Sequence, residues 1–281
     1  MKQIAIQGIE GAFHHIAAQQ LFADETIDLI CCETFAEVFA AVARDSNVLG
    51  LVAIENTIAG SLLPNYELLR KSGLTIAAEH KLHIEHSIMC LPSDNWETLT
   101  EVNSHPVALA QCQTFLEGHP MLKKVEAYDT AGAAERIATE QLHGHAAICH
   151  ANAAELYGLK VLARSIEDNK HNFTRFLLVA DQWRADDLRE VRHCNKASLV
   201  FSLSHDAGCL SQVLSVFSFY HINLTKIQSL PIVGREWEYL FYVDVQYEDY
   251  LRFKQSLDAV SPLTREIRVL GHYESKASPA L

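Results

Sequence analysis

The 281-residue chain is short of basic side chains. Lysine and arginine together number 23 against 35 aspartates and glutamates, so the formal net charge is −12 with histidine neutral. Proteins that wrap nucleic acid or lie on an anionic membrane need a basic face, and we therefore exclude both kinds of partner. The deficit leaves room for an anionic small-molecule substrate, because one or two well-placed arginines capture a carboxylate while the remaining surface stays acidic.

Long apolar segments and paired-cysteine motifs are missing as well. The longest apolar run, residues 48–54, is far shorter than the ~20 residues of a membrane helix, and residues 1–8 lack the apolar region of a signal peptide. The seven cysteines contain no C-x-x-C pair and most lie in apolar runs, which is typical of reduced, structural thiols. We expect a cytoplasmic protein.

Several catalytic signatures are also missing. The segment Gly8-Ile9-Glu10-Gly11 follows an expected strand, but it lacks the third glycine of a dinucleotide site and the Lys-Ser/Thr of a P-loop. No G-x-S-x-G occurs. His80, His83 and His86 are spaced like ligands, but on a strand His83 faces opposite to the other two. We expect no metal site.

Short apolar runs alternate with helical patterns over residues 3–180. Alternation of this kind predicts an α/β fold with mainly parallel sheets. The expected strands are 3–7, 48–54, one or two within 76–90, 146–150 and 176–180, and the expected helices are 14–22, 35–44, 64–71, 107–117, 130–141 and 152–157.

The pattern changes after residue 180. Residues 181–196 are polar and charge-dense, which is typical of a linker. Beyond them the order of elements is βαββαβ, a ferredoxin-like arrangement. Its expected elements are strand 198–204, helix 208–220, strands 222–232 and 238–246, helix 250–260 and strand 265–271.

Three polar residues follow directly on the strand 48–54. Glu55, Asn56 and Thr57 supply a carboxylate, an amide and a hydroxyl at a strand end, which is where ligands of open α/β sheets bind. The same residue types are common in turns, so they predict either the edge of a pocket or an ordinary turn.

Two further segments carry polar side chains of interest. Ser104 has the position of a helix N-cap, and Gln111 lies off the apolar stripe of that helix, where it either faces a cleft or is solvated. Thr174 and Arg175 precede the strand 176–180. The guanidinium of Arg175 matches a carboxylate bidentately, while a surface ion pair explains it equally well.

The order and spacing of these segments resemble the prephenate dehydratase family. The most specific match is Asn172-x-Thr174-Arg175-Phe176. The other matching segments, in chain order, are Gly8-x-x-Gly11-x-Phe13, Phe35-Ala36-Glu37-Val38-Phe39, Ile54-Glu55-Asn56-Thr57-x-x-Gly60-Ser61, Ser104-His105-Pro106 with Gln111-Cys112, and Asp129-Thr130-Ala131-x-Ala133-Ala134. The C-terminal βαββαβ segment resembles the ACT regulatory domain of the same family.

The resemblance implies a catalytic domain over residues 1–180, a linker over 181–197 and an ACT domain over 198–272. The catalytic domain is expected to have two α/β lobes like a type 2 periplasmic-binding protein, with the active site between them. Lobe 1 is placed at about 1–78 and 160–180, and lobe 2 at about 79–159.

The implied activity is that of a carbon–oxygen lyase in L-phenylalanine biosynthesis. Such an enzyme converts prephenate to phenylpyruvate, water and CO2 without a metal or organic cofactor. Family members carry phenylalanine as a feedback effector on the ACT domain, and ACT domains pair edge to edge. We therefore expect phenylalanine binding and a homodimer or homotetramer.

The resemblance also assigns roles to individual residues. Thr174 is expected to donate a hydrogen bond to the departing hydroxyl, Glu55 to supply a proton if the cleft raises its pKa, and Arg175 to clamp a carboxylate. The expected catalytic residues are Thr174, Glu55, Asn56 and Gln111, and the expected substrate contacts are Arg175, Phe176, Asn172, Thr57 and Ser104. The expected effector contacts are Gly208, Cys209, Leu210, Asn223, Gln228 and Ser229.

Some positions depart from the family pattern. Thr57 replaces a serine and Val107 replaces a glutamine, while Ala12 and His14 lie where the family has serine or threonine. In the effector region, Gly208-Cys209-Leu210 replaces Gly-Ala-Leu, and Gln228-Ser229-Leu230-Pro231 replaces Glu-Ser-Arg-Pro. The last change removes an acid and a base together, which weakens the expected recognition of an amino acid.

Two alternative functions stay open. An arogenate dehydratase performs the same chemistry on an amino acid instead of a keto acid, and the residues do not separate the two. A non-catalytic amino-acid sensor would keep the cleft without the chemistry. The intact Thr174-Arg175-Phe176 and Glu55-Asn56 segments argue against the sensor.

Overall fold

The computed structural model describes residues 1–188, 193–232, 234 and 238–275, whose strands form two sheets. In chain order the elements are β1 (Lys2–Gln7), α1 (Phe13–Leu21), β2 (Ile27–Cys32), α2 (Phe35–Arg44), β3 (Leu49–Asn56), β4 (Gly60–Ser61), α3 (Leu63–Ser72), β5 (Thr75–His83), β6 (Ser87–Cys90), β7 (Glu101–Ser104), α4 (Pro106–Gln111), α5 (Gln113–Glu117), β8 (Lys123–Glu126), α6 (Thr130–Glu140), β9 (His145–Cys149), α7 (Asn152–Tyr157), β10 (Lys160–Ala163), β11 (Phe173–Ala180), α8 (Gln182–Leu188), β12 (Lys196–Ser202), α9 (Cys209–Phe219), β13 (Asn223–Pro231), β14 (Tyr239–Gln246), α10 (Tyr250–Val260) and β15 (Glu266–Tyr273). No helix in these ranges combines the length and apolarity needed to cross a bilayer.

The larger sheet is mixed, which corrects the prediction of mainly parallel sheets. Its order is β13-β14-β12-β15-β5-β11-β3-β1-β2, with β4 paired to β3. Strands β2, β1 and β3 run parallel, whereas β11 is antiparallel to both of its neighbours, β3 and β5. β11 also begins three residues earlier than predicted, at Phe173, so that Thr174 and Arg175 lie inside the strand and not at its entrance.

The smaller sheet has the order β10-β6-β9-β7-β8 and is also mixed. Apolar clusters cover both of its faces. The strands β2, β4, β7, β8 and β10 were not predicted; β4 has two residues, and β7, β8 and β10 have four each, which is too few to show a period. The helix predicted over 107–117 is two helices, α4 and α5, because the backbone leaves the helical region at Cys112 (φ −116°, ψ 27°).

Residues 196–273, which we call the C-terminal block, have the predicted βαββαβ order. Helices α9 and α10 pack on one face of its strands through an apolar cluster that includes Phe217 and Phe253. The other face belongs to a second apolar cluster with side chains of β3, β11 and α3, in which Tyr242 contacts Tyr66 with 5.1 Å between ring centroids. Of the predicted linker 181–197, residues 182–188 are helix α8, Lys196 already belongs to β12, and residues 189–192 lie outside the described residues.

Among the described residues, the backbone pairing between the C-terminal block and the rest of the larger sheet consists of one register pair. Gly271 of β15 lies beside Ile76 of β5 in a parallel pairing. A Cβ at position 271 would lie 2.3 Å from the Ile76 carbonyl oxygen and 2.7 Å from the Ile76 Cβ. The absence of a side chain at residue 271 is therefore a condition for this contact.

We expect Gly271→Ala to lower the thermal unfolding midpoint, because a methyl group forced into this contact costs about 1–3 kcal/mol. The matched control is Gly132→Ala in α6, where the nearest atom, Asp129 Cβ, is 3.4 Å from the new methyl position and alanine favours the helix. Scanning calorimetry of the three proteins measures the effect. A Gly271→Ala midpoint equal to that of the wild type would contradict the close approach of the two strands.

Candidate active site

A cleft of about 910 Å³ lies between the two sheets. Its wall includes residues at or just beyond the carboxyl ends of five strands, namely Gln7, Glu33, Asn56, His105 and Glu126. Ligands of α/β sheets bind in this position, because loops and helix N-termini surround it. The cleft is therefore the candidate active site.

The floor of the cleft carries Thr174 and Phe176, two residues apart on β11. Asn56 lies opposite Thr174 in the strand register, and its Nδ2 donates to the Thr174 hydroxyl at 3.0 Å. The amide orientation of Asn56 is fixed, because its Oδ1 accepts from the backbone N–H groups of Ile58 and Ala59 at 2.9 and 2.8 Å. The Thr174 oxygen thus accepts from Asn56, which leaves its own proton free to donate elsewhere.

A chain of side-chain amides links this pair to the opposite wall. Asn56 Nδ2 also donates to Asn172 Oδ1 at 2.8 Å, and Asn172 Nδ2 donates to Gln111 Oε1 at 3.1 Å. Gln111 stands at the end of α4 and lines the cleft, which is one of the two positions left open by its place off the apolar stripe. Asn172 is fully buried, so it connects the two walls without itself lining the cleft.

Three histidines of the cleft lining, His14, His86 and His105, were not among the predicted site residues. His86 Nε2 lies 3.0 Å from Gln111 Oε1, which accepts, so the ring carries its proton on Nε2 and its buried Nδ1 has no partner among the described residues. His14 packs edge to face on Phe176, with ring centroids 4.9 Å apart. Burial lowers the pKa of His86 and that of His14, the latter to about 3, so these two rings are neutral near pH 7. In the sequence, His14 could have been found from its position just after residues 8–11, which follow the end of β1.

Arg175 does not line the cleft, which corrects its expected role as a carboxylate clamp. Successive residues of a strand point to opposite faces. Because Thr174 points toward the cleft, Arg175 points away from it. The guanidinium is buried against the C-terminal block, where Nε donates to Glu79 at 2.7 Å and Nη2 to the Tyr273 hydroxyl at 2.8 Å. Its Nη1 donates to Asp244.

Glu55 is the register partner of Arg175 and also lies outside the cleft. Its carboxylate pairs with Lys226 of β13 at 2.8 Å and is 36% exposed. The expected role of Glu55 as proton source is therefore not supported by its position. The same alternation that separates Thr174 from Arg175 separates Asn56 from Glu55.

Thr57 and Ser104 hold loops in place and do not line the cleft, contrary to expectation. The Thr57 hydroxyl donates to His171 O at 3.0 Å and accepts from Phe173 N at 2.9 Å. Ser104 is fully buried and donates to Ile148 O at 2.5 Å. The N-cap of α4 is His105, whose Nδ1 accepts from Val107 N at 3.3 Å.

The predicted effector residues are divided between the two ends of the C-terminal block. At one end, Asn223 pairs with Gln246, which pairs with Lys196. At the other end lie the start of α9, with Gly208, Cys209 and Leu210, and the later part of β13, with Gln228 and Ser229. The described residues of one chain do not bring these six residues together.

The charges in the cleft are acidic. Its lining includes Glu33, Glu126 and Asp129, and no lysine or arginine stands among the described residues of the lining. Within the same part of the chain, no cluster of three or more His, Cys, Asp or Glu side chains is arranged to hold a metal ion. His80 and His83 instead hydrogen-bond to Gln20 and to the carbonyl of Lys170.

Comparisons with known proteins agree with this arrangement. A family model described as prephenate dehydratase matches residues 4–183. Arogenate dehydratase 1 of Petunia hybrida is 36% identical over 99% of this chain and 68% of its own length. The bifunctional chorismate mutase/prephenate dehydratase of Escherichia coli K12 is 31% identical over 98% of this chain and 71% of its own length.

Two solved structures share the whole architecture. Prephenate dehydratase from Arthrobacter aurescens in complex with L-Phe superposes with a TM-score of 0.85 at 27% identity, covering 97% of this chain and 90% of that chain. A structure described as GqqA, a novel type of quorum quenching acylases, has a TM-score of 0.85 at 29% identity and covers 98% of both chains. The predicted two-lobed, periplasmic-binding-protein-like α/β class is confirmed.

The family model spans every residue that lines the cleft, and the relatives match along nearly the full chain. This chain belongs to the prephenate dehydratase family.

Proposed function

We propose that this chain is a prephenate dehydratase, which converts prephenate to phenylpyruvate, CO2 and water in phenylalanine biosynthesis. One observation carries the proposal: the Thr174 hydroxyl on the cleft floor accepts a hydrogen bond from Asn56 Nδ2 at 3.0 Å, which leaves its own proton to donate. Residues 1–180 form the catalytic domain of this proposal, in lobes at about 1–78 with 160–180 and 79–159. Residues 181–197 are the linker and 198–272 the ACT regulatory domain.

The reaction needs only a few contributions from the protein. As the ring carboxylate leaves as CO2, the electron pair of the broken C–C bond enters the ring and expels the hydroxyl group from the opposite ring carbon. The departing hydroxide needs a hydrogen-bond donor and takes up one proton from the solvent to become water. Aromatisation of the ring supplies the driving force.

Thr174 is the donor to the departing hydroxyl in this proposal. A threonine hydroxyl does not ionise near neutral pH, so it acts by hydrogen bonding and not as an acid. Charge develops on the leaving oxygen in the transition state, and a donor fixed in advance stabilises it at no cost in reorganisation. Asn56, Asn172 and Gln111 fix that donor through the amide chain across the cleft.

Helix N-termini are the groups that hold the substrate carboxylates. Four helices begin in the cleft wall, at Phe13, Phe35, Pro106 and Thr130, and a helix N-terminus carries about half a positive charge. Side chains cap α2, α4 and α6, while α1 has no side-chain cap. The backbone N–H groups of α1 are therefore the best placed to bind a carboxylate. Phe13, Phe35 and Phe176 supply an apolar wall for the ring.

Arogenate is the second candidate substrate. It differs from prephenate in carrying an ammonium group, and the carboxylates of Glu33, Glu126 and Asp129 at the cleft favour a cation. Relatives that are 36% identical to this chain over the aligned region are named for arogenate, for example Arogenate dehydratase 1 of Petunia hybrida.

Phenylalanine is the proposed effector, as the complex of the Arthrobacter relative with L-Phe supports. A polar cavity of about 1200 Å³ at the Asn223 end of the C-terminal block is lined by Asp249 and Arg252. These opposite charges suit the ammonium and carboxylate of an amino acid. We further propose a cytoplasmic homodimer or homotetramer, in which the edge strand β13 pairs with a second copy.

We expect Thr174→Val to lower kcat for phenylpyruvate formation by about 10²–10³-fold with little change in KM, because it removes one positioned donor while keeping the side-chain shape. Thr174→Ser keeps the hydroxyl and is expected to retain most of the activity. Thr100→Val, an exposed threonine outside the cleft, is the matched control. Wild-type turnover in Thr174→Val would falsify the assignment.

The choice between the two substrates is decided by comparing kcat/KM for prephenate and arogenate with the same preparation. The proposed function predicts a higher value for prephenate, whereas a higher value for arogenate follows if the lining carboxylates pair with its ammonium group. Glu126→Gln tests the alternative, since it removes one carboxylate from the lining. If arogenate is the better substrate and Glu126→Gln selectively weakens its turnover, the second candidate is correct.

Calorimetric titration with phenylalanine tests the effector assignment. Binding is expected, and Asn223→Ala is expected to weaken it by about tenfold or more, because an amide that meets a charged group contributes about 1.5–3 kcal/mol. Ser229→Ala, at the opposite end of β13, is the comparison variant. No heat of binding together with unchanged activity across the titration would rule out phenylalanine as the effector.

A further inference from the structure

Beneath the cleft floor lies a buried group of charged side chains that the proposed reaction does not use. On its upper face β11 presents Thr174 to the cleft, and on its lower face it presents Arg175 to the C-terminal block. The same is true of Asn56 and Glu55 on β3, which pair with Thr174 and Arg175 in the strand register. The register shifts between Arg175 and Phe176, and β-bulges of this kind re-aim side chains beside active sites.

Arg175 joins three elements at once. Its guanidinium donates to Glu79 of β5, to Asp244 of β14 and to the hydroxyl of Tyr273 of β15. The residue is 9% exposed, and Tyr273 is fully buried. Asp244 also accepts from Ser198 Oγ at 2.5 Å. Two strands of the C-terminal block are thereby fastened to the residue next to Thr174.

A second contact reaches the other catalytic strand. Lys226 of β13 pairs with Glu55 at 2.8 Å and donates to Ser61 Oγ at 2.8 Å. Its ammonium group lies 5.5 Å from the centre of the Tyr66 ring. β13 is the strand that also carries the predicted effector residues Gln228 and Ser229.

The group is balanced in charge. The cations Arg175, Lys196 and Lys226 meet the carboxylates Glu55, Glu79 and Asp244, with Lys196 lying 2.8 Å from Glu79. Removing one partner from a buried ion pair leaves an uncompensated charge, which costs more than the intact pair contributes. The cost of losing a partner is therefore greatest at the buried pairs of Arg175 with Glu79 and Asp244.

We propose that Arg175 and Glu55 are positioning residues, through which the C-terminal block sets the placement of Thr174 and Asn56. Each positioning residue shares a rigid planar peptide bond with a residue of the cleft floor. A small displacement of the block is transmitted through that bond, and a misplacement of about 1 Å is enough to slow an enzymatic step by about 10²-fold. The inference rests on the proposed function for its catalytic readout only.

The test uses Lys226→Met in the full chain, with Lys254→Met as the control. Lys254 is an exposed lysine of α10 that does not belong to this group of charged side chains. Glu55 is over one-third exposed, so water solvates its carboxylate in the variant and folding is retained. We expect kcat to fall by about tenfold or more while KM stays within about twofold, because the cleft lining is unchanged. Lys226→Arg keeps the charge and is expected to restore kcat.

Hydrogen–deuterium exchange gives a second readout that needs no turnover. Exchange in peptides covering residues 54–58 and 173–176 is expected to rise about tenfold in Lys226→Met and in Asp244→Asn, and not in Lys254→Met, because a lost tertiary contact favours local opening. A lower melting temperature with unchanged kcat and unchanged exchange at these peptides would mean that the ion pairs only stabilise the fold. That result would overturn the proposal. If the wild type turns over neither substrate while the exchange rises, the proposed function fails and the coupling stands.

Discussion

Strand β11 determines most of what the rest of the molecule does, because its side chains alternate between two environments. Thr174 and Phe176 face the cleft, whereas Arg175, Leu177 and Val179 face the α2–α3 side and the C-terminal block. Antiparallel pairing with β3 and β5 holds the strand on both edges. The reacting face and the face that binds the block are thus two sides of one rigid element, and neither moves without the other.

Much of the fold was readable from the sequence, and the misses have physical causes. The helix 35–44 and the βαββαβ order were predicted because their apolar periodicity is regular, whereas β7, β8 and β10 have only four residues each and are too short to show a period. Thr174, Asn56, Gln111 and Phe176 line the cleft in the structure, and their roles there stay predictions. Arg175 was misplaced, because the strand was expected to begin after it. Once β11 starts at Phe173, alternation alone puts Thr174 and Arg175 on opposite faces.

The electrostatics of the cleft also differ from what the composition suggested. A dianionic substrate was expected to meet an arginine, but the arginine in question neutralises Glu79 and Asp244 beneath the floor. In the proposed function the carboxylates meet backbone dipoles instead, in a site where His14 and His86 are kept neutral by burial. Uncharged hydrogen-bond donors at a helix N-terminus attract an anion over a short range, because the effect falls off within the first turn of the helix. They therefore bind an anionic product less strongly than an arginine or lysine side chain would.

The contact of Gly271 with Ile76 is a short connection between two parts of the larger sheet. Other neighbouring strands of the larger sheet are joined by longer ladders, such as the eight paired residues between β11 and β5, whereas β15 and β5 share one pair. Rotating the C-terminal block about this point breaks very little backbone hydrogen bonding, at about 0.5–1.5 kcal/mol for each bond lost. Resistance to such a rotation comes instead from the side chains around it. The resistance of this contact to rotation is therefore set by side chains that can be replaced one at a time, whereas the strand contact itself requires glycine at position 271.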